Sequence, residues 1–152
     1  MNPSQIRAAI VTERIAWIRK MIEGIRRLPL SNYEEFVSDS RNIAAAESYL
    51  RRALEAILDL GRHILAKAFS SPVTEYKEIG KFLAENGVLN KSNGELLRQM
   101  AGYRNRLVHF YHEVSERELF DICTNYLADI EDVTNNILNW LKNHPEKLNC
   151  EI

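Results

Sequence analysis

The sequence predicts an all-α fold, an up-and-down bundle of four to five helices of which two are long. Apolar residues recur in steps of three and four along most of the chain, which is the period of a helix with one buried face. Several of these stretches follow a Ser with a Glu three residues later, the spacing of a capping box. No strand alternation, repeat or low-complexity stretch competes with this interpretation. The 152 residues suit one domain, which we expect over 1–143, followed by a frayed tail over 144–152.

The predicted helices are bounded by local start and stop signals. They cover about 2–28, 39–69, 74–86, 92–114 and 115–142, with a short turn over 31–36. The start signals are Asn2-Pro3, Ser31 with Glu34, Ser92 with Glu95, and Ser115 with Glu118. The stop signals are Pro29, Ser70-Ser71-Pro72 and Asn86-Gly87. In the last segment the apolar stripe is regular enough to be either core or a dimer seam.

Composition and charge exclude several classes of protein. With 20 Lys and Arg against 21 Asp and Glu, the formal net charge is −1, so any RNA contact must come from a local basic patch. There is no signal-peptide pattern and no apolar run near 18 residues, so neither export nor membrane insertion is expected. Cys123 and Cys150 lack metal-ligand spacing, and a reduced cytoplasm fits them best.

Metal and nucleotide-fold chemistries are not expected either, and no cofactor is predicted. The chain has no H-E-x-x-H, P-loop, G-x-G-x-x-G or G-x-S-x-G motif, and no Glu lies three residues before any histidine. His63, without a ligand at zinc spacing, is interpreted as structural or exposed on the surface. His112 follows His109 by three residues, but two histidines without a third ligand do not make a predicted metal site.

Chemically capable side chains are concentrated in residues 92–114. Within this predicted helix, Arg104 shares a stripe with apolar residues, where a guanidinium is rarely left without an anionic partner. That partner is either a substrate anion or a carboxylate of a neighbouring helix. Both alternatives remain open at this point.

His109 adds a group that can transfer protons. Five residues separate it from Arg104, which is roughly 140° of rotation on an ideal helix. Either the helix loosens before His109, or the two residues converge with copies from a second chain. Asn105 precedes His109 by one turn and is expected to orient it or to contact a bound phosphate.

The segment Arg104-Asn105-Arg106-Leu107-Val108-His109-Phe110-Tyr111 matches the pattern R-x-x-x-x-H-x-Y. With it, the chain resembles the HEPN domains, and specifically the HepT-type toxins found with a minimal nucleotidyltransferase antitoxin. The run 53–64 is similar to the long second helix of that group, and the resemblance covers roughly 4–142. It implies a metal-independent endoribonuclease whose paired motifs line a cleft between two subunits. It also implies that the partner transferase can silence the toxin by adenylylating Tyr111.

Phosphodiester chemistry without a metal suits these side chains. A histidine can take the 2′-hydroxyl proton of RNA or donate one to the leaving 5′-oxygen, which is the role predicted for His109. The planar fork of Arg104 can bind the phosphate as negative charge accumulates on it. Arg98 and Arg106 are candidate auxiliary phosphate contacts. The expected partners are an RNA substrate, a second copy in a homodimer and the antitoxin, with no membrane.

A second function class also fits the sequence. The chain could be a non-catalytic dimeric subunit of a nucleotidyltransferase complex in which Arg104 and His109 only bind a nucleotide or another anion. Cleavage of RNA in EDTA by the purified protein would separate the two.

Overall fold

The prediction of an all-α bundle is confirmed by a computed structural model of the chain, which describes residues 5–109 and 114–152. The α-helices in these ranges are α1 Ala8–Arg26, α2 Tyr33–Val37, α3 Ser40–Phe69, α4 Tyr76–Glu85, α5 Lys91–His109, α6 Glu116–Asn125 and α7 Leu127–Asn143, followed by a 3₁₀ turn Pro145–Lys147. They number more than expected because the last predicted segment is divided in two. None of the described helices is long and apolar enough to cross a membrane.

The 30-residue helix α3 is the centre of the bundle. It packs against α1, α2, α4, α5 and α6. Its middle third is therefore buried on more than one face, with Leu54, Ile57, Leu58 and Leu60 each at most 2% exposed. A helix that is apolar around most of its circumference is typical of such a central position. The residues at its two ends are more polar and reach the surface.

Two helix caps agree with the predicted starts and the other starts shift; α1, expected to start at Asn2-Pro3, begins at Ala8. Asp39 caps α3 and Ser115 caps α6, each through a side-chain oxygen that accepts a backbone N–H. The turn predicted to start at Ser31 is capped by Asn32, whose Oδ1 accepts from the N–H of Glu35 at 2.7 Å. Likewise α5 begins before Ser92, because Asn90 Oδ1 accepts from the N–H of Asn93 at 2.7 Å. Asn is as good an N-cap as Ser, so the nearby asparagines were equally strong start signals.

Two glycines allow α4 and α5 to touch through their backbones. A Cβ on Gly80 would lie 2.2 Å from the carbonyl oxygen of Gly94, and a Cβ on Gly94 would lie 2.8 Å from the oxygen of Gly80. No side chain fits in that space. The contact fixes α4 beside α5, and so fixes the residues at the start of α4 relative to Arg104.

The last predicted helix is interrupted at Tyr126, which the sequence did not reveal. Tyr126 has φ −119° and ψ 3° between α6 and α7, and it is 51% exposed. Neither Pro nor Gly marks the position, and the apolar period continues through it. The interruption lets α6 pack on α2 and α3 while α7 turns towards α1 and α5.

The tail, which the sequence suggested would fray, contacts the start of the chain. Ile6 donates its N–H to Lys147 O at 2.8 Å, and Asn149 donates its N–H to Ile6 O at 2.9 Å. Leu148 is buried beside Ile6. The Asn149 side chain also accepts from the N–H of Ala8, the first residue of α1, at 2.9 Å. These contacts bury a leucine and cap a helix whose own N-cap residue offers no side-chain cap.

Candidate functional site

Arg104 lies on the inner side of α5, facing α3, and its side chain is 21% exposed. Its Nε donates to Glu55 Oε1 at 3.4 Å, and the same oxygen accepts from Arg51 at 3.1 Å. The sequence left two possible anionic partners for Arg104, a substrate or a carboxylate of a neighbouring helix. The structure contains the carboxylate. Glu55 contacts the guanidinium group of Arg104 only through Nε. Nη1 donates to Asn105 Oδ1 at 3.3 Å.

Arg104 borders a cavity of about 370 Å³ between α3, the start of α4 and α5. This volume is within the range of small-ligand sites. The residues that line it are Arg62, Thr74, Glu75, Tyr76, Lys77, Arg104 and Asn105. Three of these side chains are cationic and one is anionic, so the cavity favours an anion.

Tyr76 organises the wall of this cavity. The guanidinium carbon of Arg62 lies 4.5 Å from the centroid of its ring, and that of Arg104 lies 4.8 Å from the same centroid. The Tyr76 hydroxyl donates to Asp59 Oδ1 at 2.7 Å. Burial raises the pKa of Tyr76, and the hydrogen bond to Asp59 raises it further. The phenol therefore stays protonated at neutral pH, and its ring offers a face to both guanidinium groups.

His109 is the last residue of α5 and is exposed. The helix is unbroken from Lys91 to His109, so it does not loosen before the histidine. On a regular helix the two side chains point roughly 140° apart. Within one chain, Arg104 and His109 are therefore not aimed at one small target. Asn105, expected to orient His109 or a phosphate, contacts Arg104 and lines the cavity.

The two candidate auxiliary arginines lie elsewhere on α5. Arg106 makes a two-pronged ion pair with Glu118 of α6, at 2.8 and 2.7 Å. Arg98 pairs with Glu95 on the exposed side of α5. It precedes Arg104 by six residues and so points roughly 120° away from it. Neither side chain joins the cavity, and their roles in binding substrate stay predictions.

Tyr111 and His112 lie outside the described residues. Among the residues described, no group of three or more His, Cys, Asp and Glu side chains could hold a metal ion. His63 has a structural place, as predicted, because its Nε2 accepts from the N–H of Arg7 at 3.0 Å ahead of α1.

Two cavity residues were missed at the level of sequence. Arg62 precedes Arg104 by 42 positions, and Tyr76 was interpreted only as part of the packing face of α4. No local spacing joins them to the motif. Their relation to Arg104 depends on how α3, α4 and α5 pack together.

Comparison with known proteins gives a consistent result. A family model described as Ribonuclease HepT-like matches residues 18–137. The mRNA nuclease HepT of Shewanella oneidensis is 25% identical over 122 residues, which are 80% of this chain and 91% of the relative. The tRNA nuclease HepT of Aphanizomenon flos-aquae is 26% identical over 120 residues, which are 77% of this chain and 80% of the relative.

Solved structures share the fold. The tri-AMPylated HEPN toxin of Shewanella oneidensis in complex with the MNT antitoxin has a TM-score of 0.78 at 24% identity, covering 86% of this chain and 97% of that chain. The cytosolic protein YutE of Bacillus subtilis, whose function is unknown, has a TM-score of 0.74 at 16% identity, covering 88% of this chain and 90% of that chain. Since the family model spans more than three quarters of the sequence, the chain belongs to the Ribonuclease HepT-like family.

Proposed function

We propose that this protein is a metal-independent endoribonuclease toxin, silenced by a partner nucleotidyltransferase antitoxin, and that it acts in the cytoplasm. The observation that carries the proposal is the family membership together with the intact segment 104–111, in which Arg, Asn, His and Tyr all occupy the motif positions. Two curated relatives are named as nucleases of RNA. The Shewanella toxin is in complex with its antitoxin.

The chemistry assigned to the site needs no cofactor. His109 takes the proton of the 2′-hydroxyl, or gives one to the departing 5′-oxygen. The 2′-oxygen bonds to phosphorus as the bond to the 5′-oxygen breaks, which leaves a 2′,3′-cyclic phosphate on one fragment and a 5′-hydroxyl on the other. Arg104 binds the phosphate as its charge increases. Asn105, bonded to Arg104, restrains that guanidinium.

The catalytic site is composite in this proposal. Because α5 is regular through His109 and turns the two side chains apart, a second chain is the economical way to bring an arginine and a histidine to one phosphate. We place the homodimer interface on α5 with part of α7. One histidine can then act as base and its copy as acid.

A cleavage assay tests the catalytic proposal. Purified protein in EDTA should cut single-stranded RNA and leave 2′,3′-cyclic phosphate ends. His109→Ala should abolish cleavage while preserving the dimer, and His144→Gln, which changes a histidine of the tail, should leave the rate unchanged. Intact RNA with the unmodified wild type would instead favour an anion-binding subunit of a transferase complex.

Silencing is proposed to act through Tyr111. The transferase would move an adenylyl group from ATP to the tyrosine oxygen and release pyrophosphate. The added phosphate would place negative charge near Arg104, occupy its anion site and obstruct RNA. Co-expression with the antitoxin, followed by mass spectrometry of the peptide that contains Tyr111, tests this mechanism. An unmodified Tyr111 in a silenced complex would contradict it.

A further inference from the structure

Arg62 is a charged residue of the cavity that the predicted mechanism does not use. Its Nε is inaccessible to solvent and has no hydrogen-bond acceptor among residues 5–109 and 114–152. Leaving a buried donor unpaired costs about 1–3 kcal/mol. An aliphatic residue at this position would avoid that cost. Because Arg62 also lines the cavity, a ligand bound there can supply the acceptors that the described chain does not give its guanidinium.

The carboxylates near Arg62 on α3 make their hydrogen bonds to other residues of the described chain. Asp59, one turn before it on α3, accepts the hydroxyl proton of Tyr76. Glu55 accepts from Arg51 and Arg104. Within the described ranges, the guanidinium group of Arg62 makes no hydrogen bond or ion pair and stacks on the Tyr76 ring.

The ring of Tyr76 sets the distance between Arg62 and Arg104. Since each guanidinium carbon lies within 5 Å of the same centroid, the two charges are held as close neighbours. Both border the same cavity, and so does Lys77 at the start of α4. Each guanidinium can bind a phosphate through two N–H groups, so two of them that border one cavity can engage two phosphates of one strand.

We propose that Arg62, assisted by Lys77, binds the phosphate next to the scissile one in the RNA strand, while Tyr76 is the positioning residue that keeps Arg62 and Arg104 in register. This rests on the proposed ribonuclease function. It extends the substrate site from α5 to the end of α3 and the start of α4. It also explains how a chain of nearly neutral net charge holds RNA, since three cations are gathered in one cavity.

The test is a binding measurement that does not require cleavage. In a His109→Ala background, a fluorescent single-stranded RNA oligonucleotide is titrated at several salt concentrations with the parent, with Arg62→Gln and with Arg52→Gln. Arg52 is an exposed arginine of the same helix outside the cavity, so it is the matched control. Arg62→Gln should weaken binding roughly tenfold at low salt, the loss expected for a hydrogen bond to a charged group. It should reduce the slope of log K against log salt by about 0.7, the share of one phosphate contact. Arg52→Gln should change neither.

Arg62→Gln with the affinity and slope of the parent would overturn the inference. A second measurement uses the unmutated protein, so it does not depend on how a variant folds. In a short RNA with one defined cleavage site, the linkage on each side of that site is replaced in turn by a neutral methylphosphonate. At one of the two positions, KM should be roughly tenfold higher than for the unmodified RNA, while kcat stays within about twofold. An unchanged KM at both positions would contradict the proposal.

These results separate the two proposals. RNA that is cut with no effect of Arg62 or of the neutral linkages removes the inference and leaves the ribonuclease. RNA that is bound through Arg62 but never cut removes the ribonuclease and leaves Arg62 as an RNA contact.

Discussion

Glu55 of α3 holds Arg104 of α5 by one edge, with 3.4 Å between Oε1 and Nε. Glu55 contacts only Nε, while Nη1 donates to Asn105 Oδ1, and the residue lines the cavity. The carboxylate therefore orients Arg104, the arginine that we propose as catalytic, without occupying its terminal nitrogens. An ion pair that first suggested a purely structural arginine is compatible with a functional one.

Glu55→Gln tests this orienting role. We expect kcat/KM for RNA cleavage to fall about tenfold, because Arg104 loses the charged partner that fixes its rotamer. The unfolding free energy should change by less than about 1 kcal/mol, as is usual for partly exposed ion pairs. Asp121→Asn, which removes an exposed acid paired with Arg117, is the matched control and should leave cleavage unchanged. Full activity of Glu55→Gln would show that Arg104 needs no such support.

Gly80→Ala tests the backbone contact between α4 and α5. The new methyl group would lie 2.2 Å from the Gly94 carbonyl oxygen, so the helices must separate. The expected loss of unfolding free energy is about 1–3 kcal/mol, measured by urea denaturation. Gly102→Ala is the matched change on α5, where no atom of the described chain lies within 4 Å of the new Cβ. It should stabilise by about 0.5–1 kcal/mol through helix propensity. Equal effects of the two variants would refute the contact.

His63 makes the stability of the fold depend on pH. Burial lowers its pKa from the ordinary value of 6.5, and the charges of Lys67, Arg7 and Arg14 lower it further. The neutral ring accepts the Arg7 N–H, so the folded state binds this proton less readily than the unfolded state. The stabilising contribution of neutral His63 is complete above pH 6.5. It is lost as the pH falls from 6.5 to the lower pKa that His63 has in the folded state.

Urea denaturation at about pH 7.5 and about pH 5.5, on either side of the ordinary histidine pKa, measures this effect. The wild type should lose stability at the lower pH, and His63→Gln should lose less between the same two values. An identical loss in both proteins would mean that other groups cause the dependence.

The two cysteines should differ in reactivity. Burial raises the pKa of the Cys123 thiol to about 12, whereas Cys150 is exposed. Since the thiolate is the reactive form, iodoacetamide should label the native protein once, at Cys150, and the urea-unfolded protein twice. Native Cys150→Ser should remain unlabelled. Rapid labelling of Cys123 in the native protein would show that α6 opens readily from the core.

Local signals predicted the fold well wherever a helix is determined by its own residues. Asp39 and Ser115 cap helices where expected, and Asn86-Gly87 ends α4, with Gly87 at φ 76°. They failed where distant parts of the chain decide. The interruption at Tyr126 accompanies the packing of α6 and α7 on different neighbours, and the tail makes hydrogen bonds to Ile6 and to the start of α1.

In the candidate site, too, the sequence indicated the residues that lie close together in the chain and missed those that only the packing brings together. Arg104, Asn105 and His109 could be proposed from the sequence because their chemistry lies within one helical segment. Arg62 was not, because its role depends on an unpaired Nε and on a tyrosine from α4. The geometry of α5 decided one question that spacing left open, since the helix stays regular up to His109.

Subunit mixing tests the central claim, a catalytic site shared between two chains, most directly. Arg104→Ala and His109→Ala are purified separately, each expected to be inactive, and are then mixed under conditions that exchange subunits, with mixed dimers verified by native mass spectrometry. A mixed dimer retains Arg104 on one chain and His109 on the other, so we predict that RNA cleavage in EDTA reappears on mixing, at a lower rate than in the wild type because the second His109 is missing. A mixture that contains mixed dimers but stays as inactive as either variant, beside an active wild type, would contradict the claim.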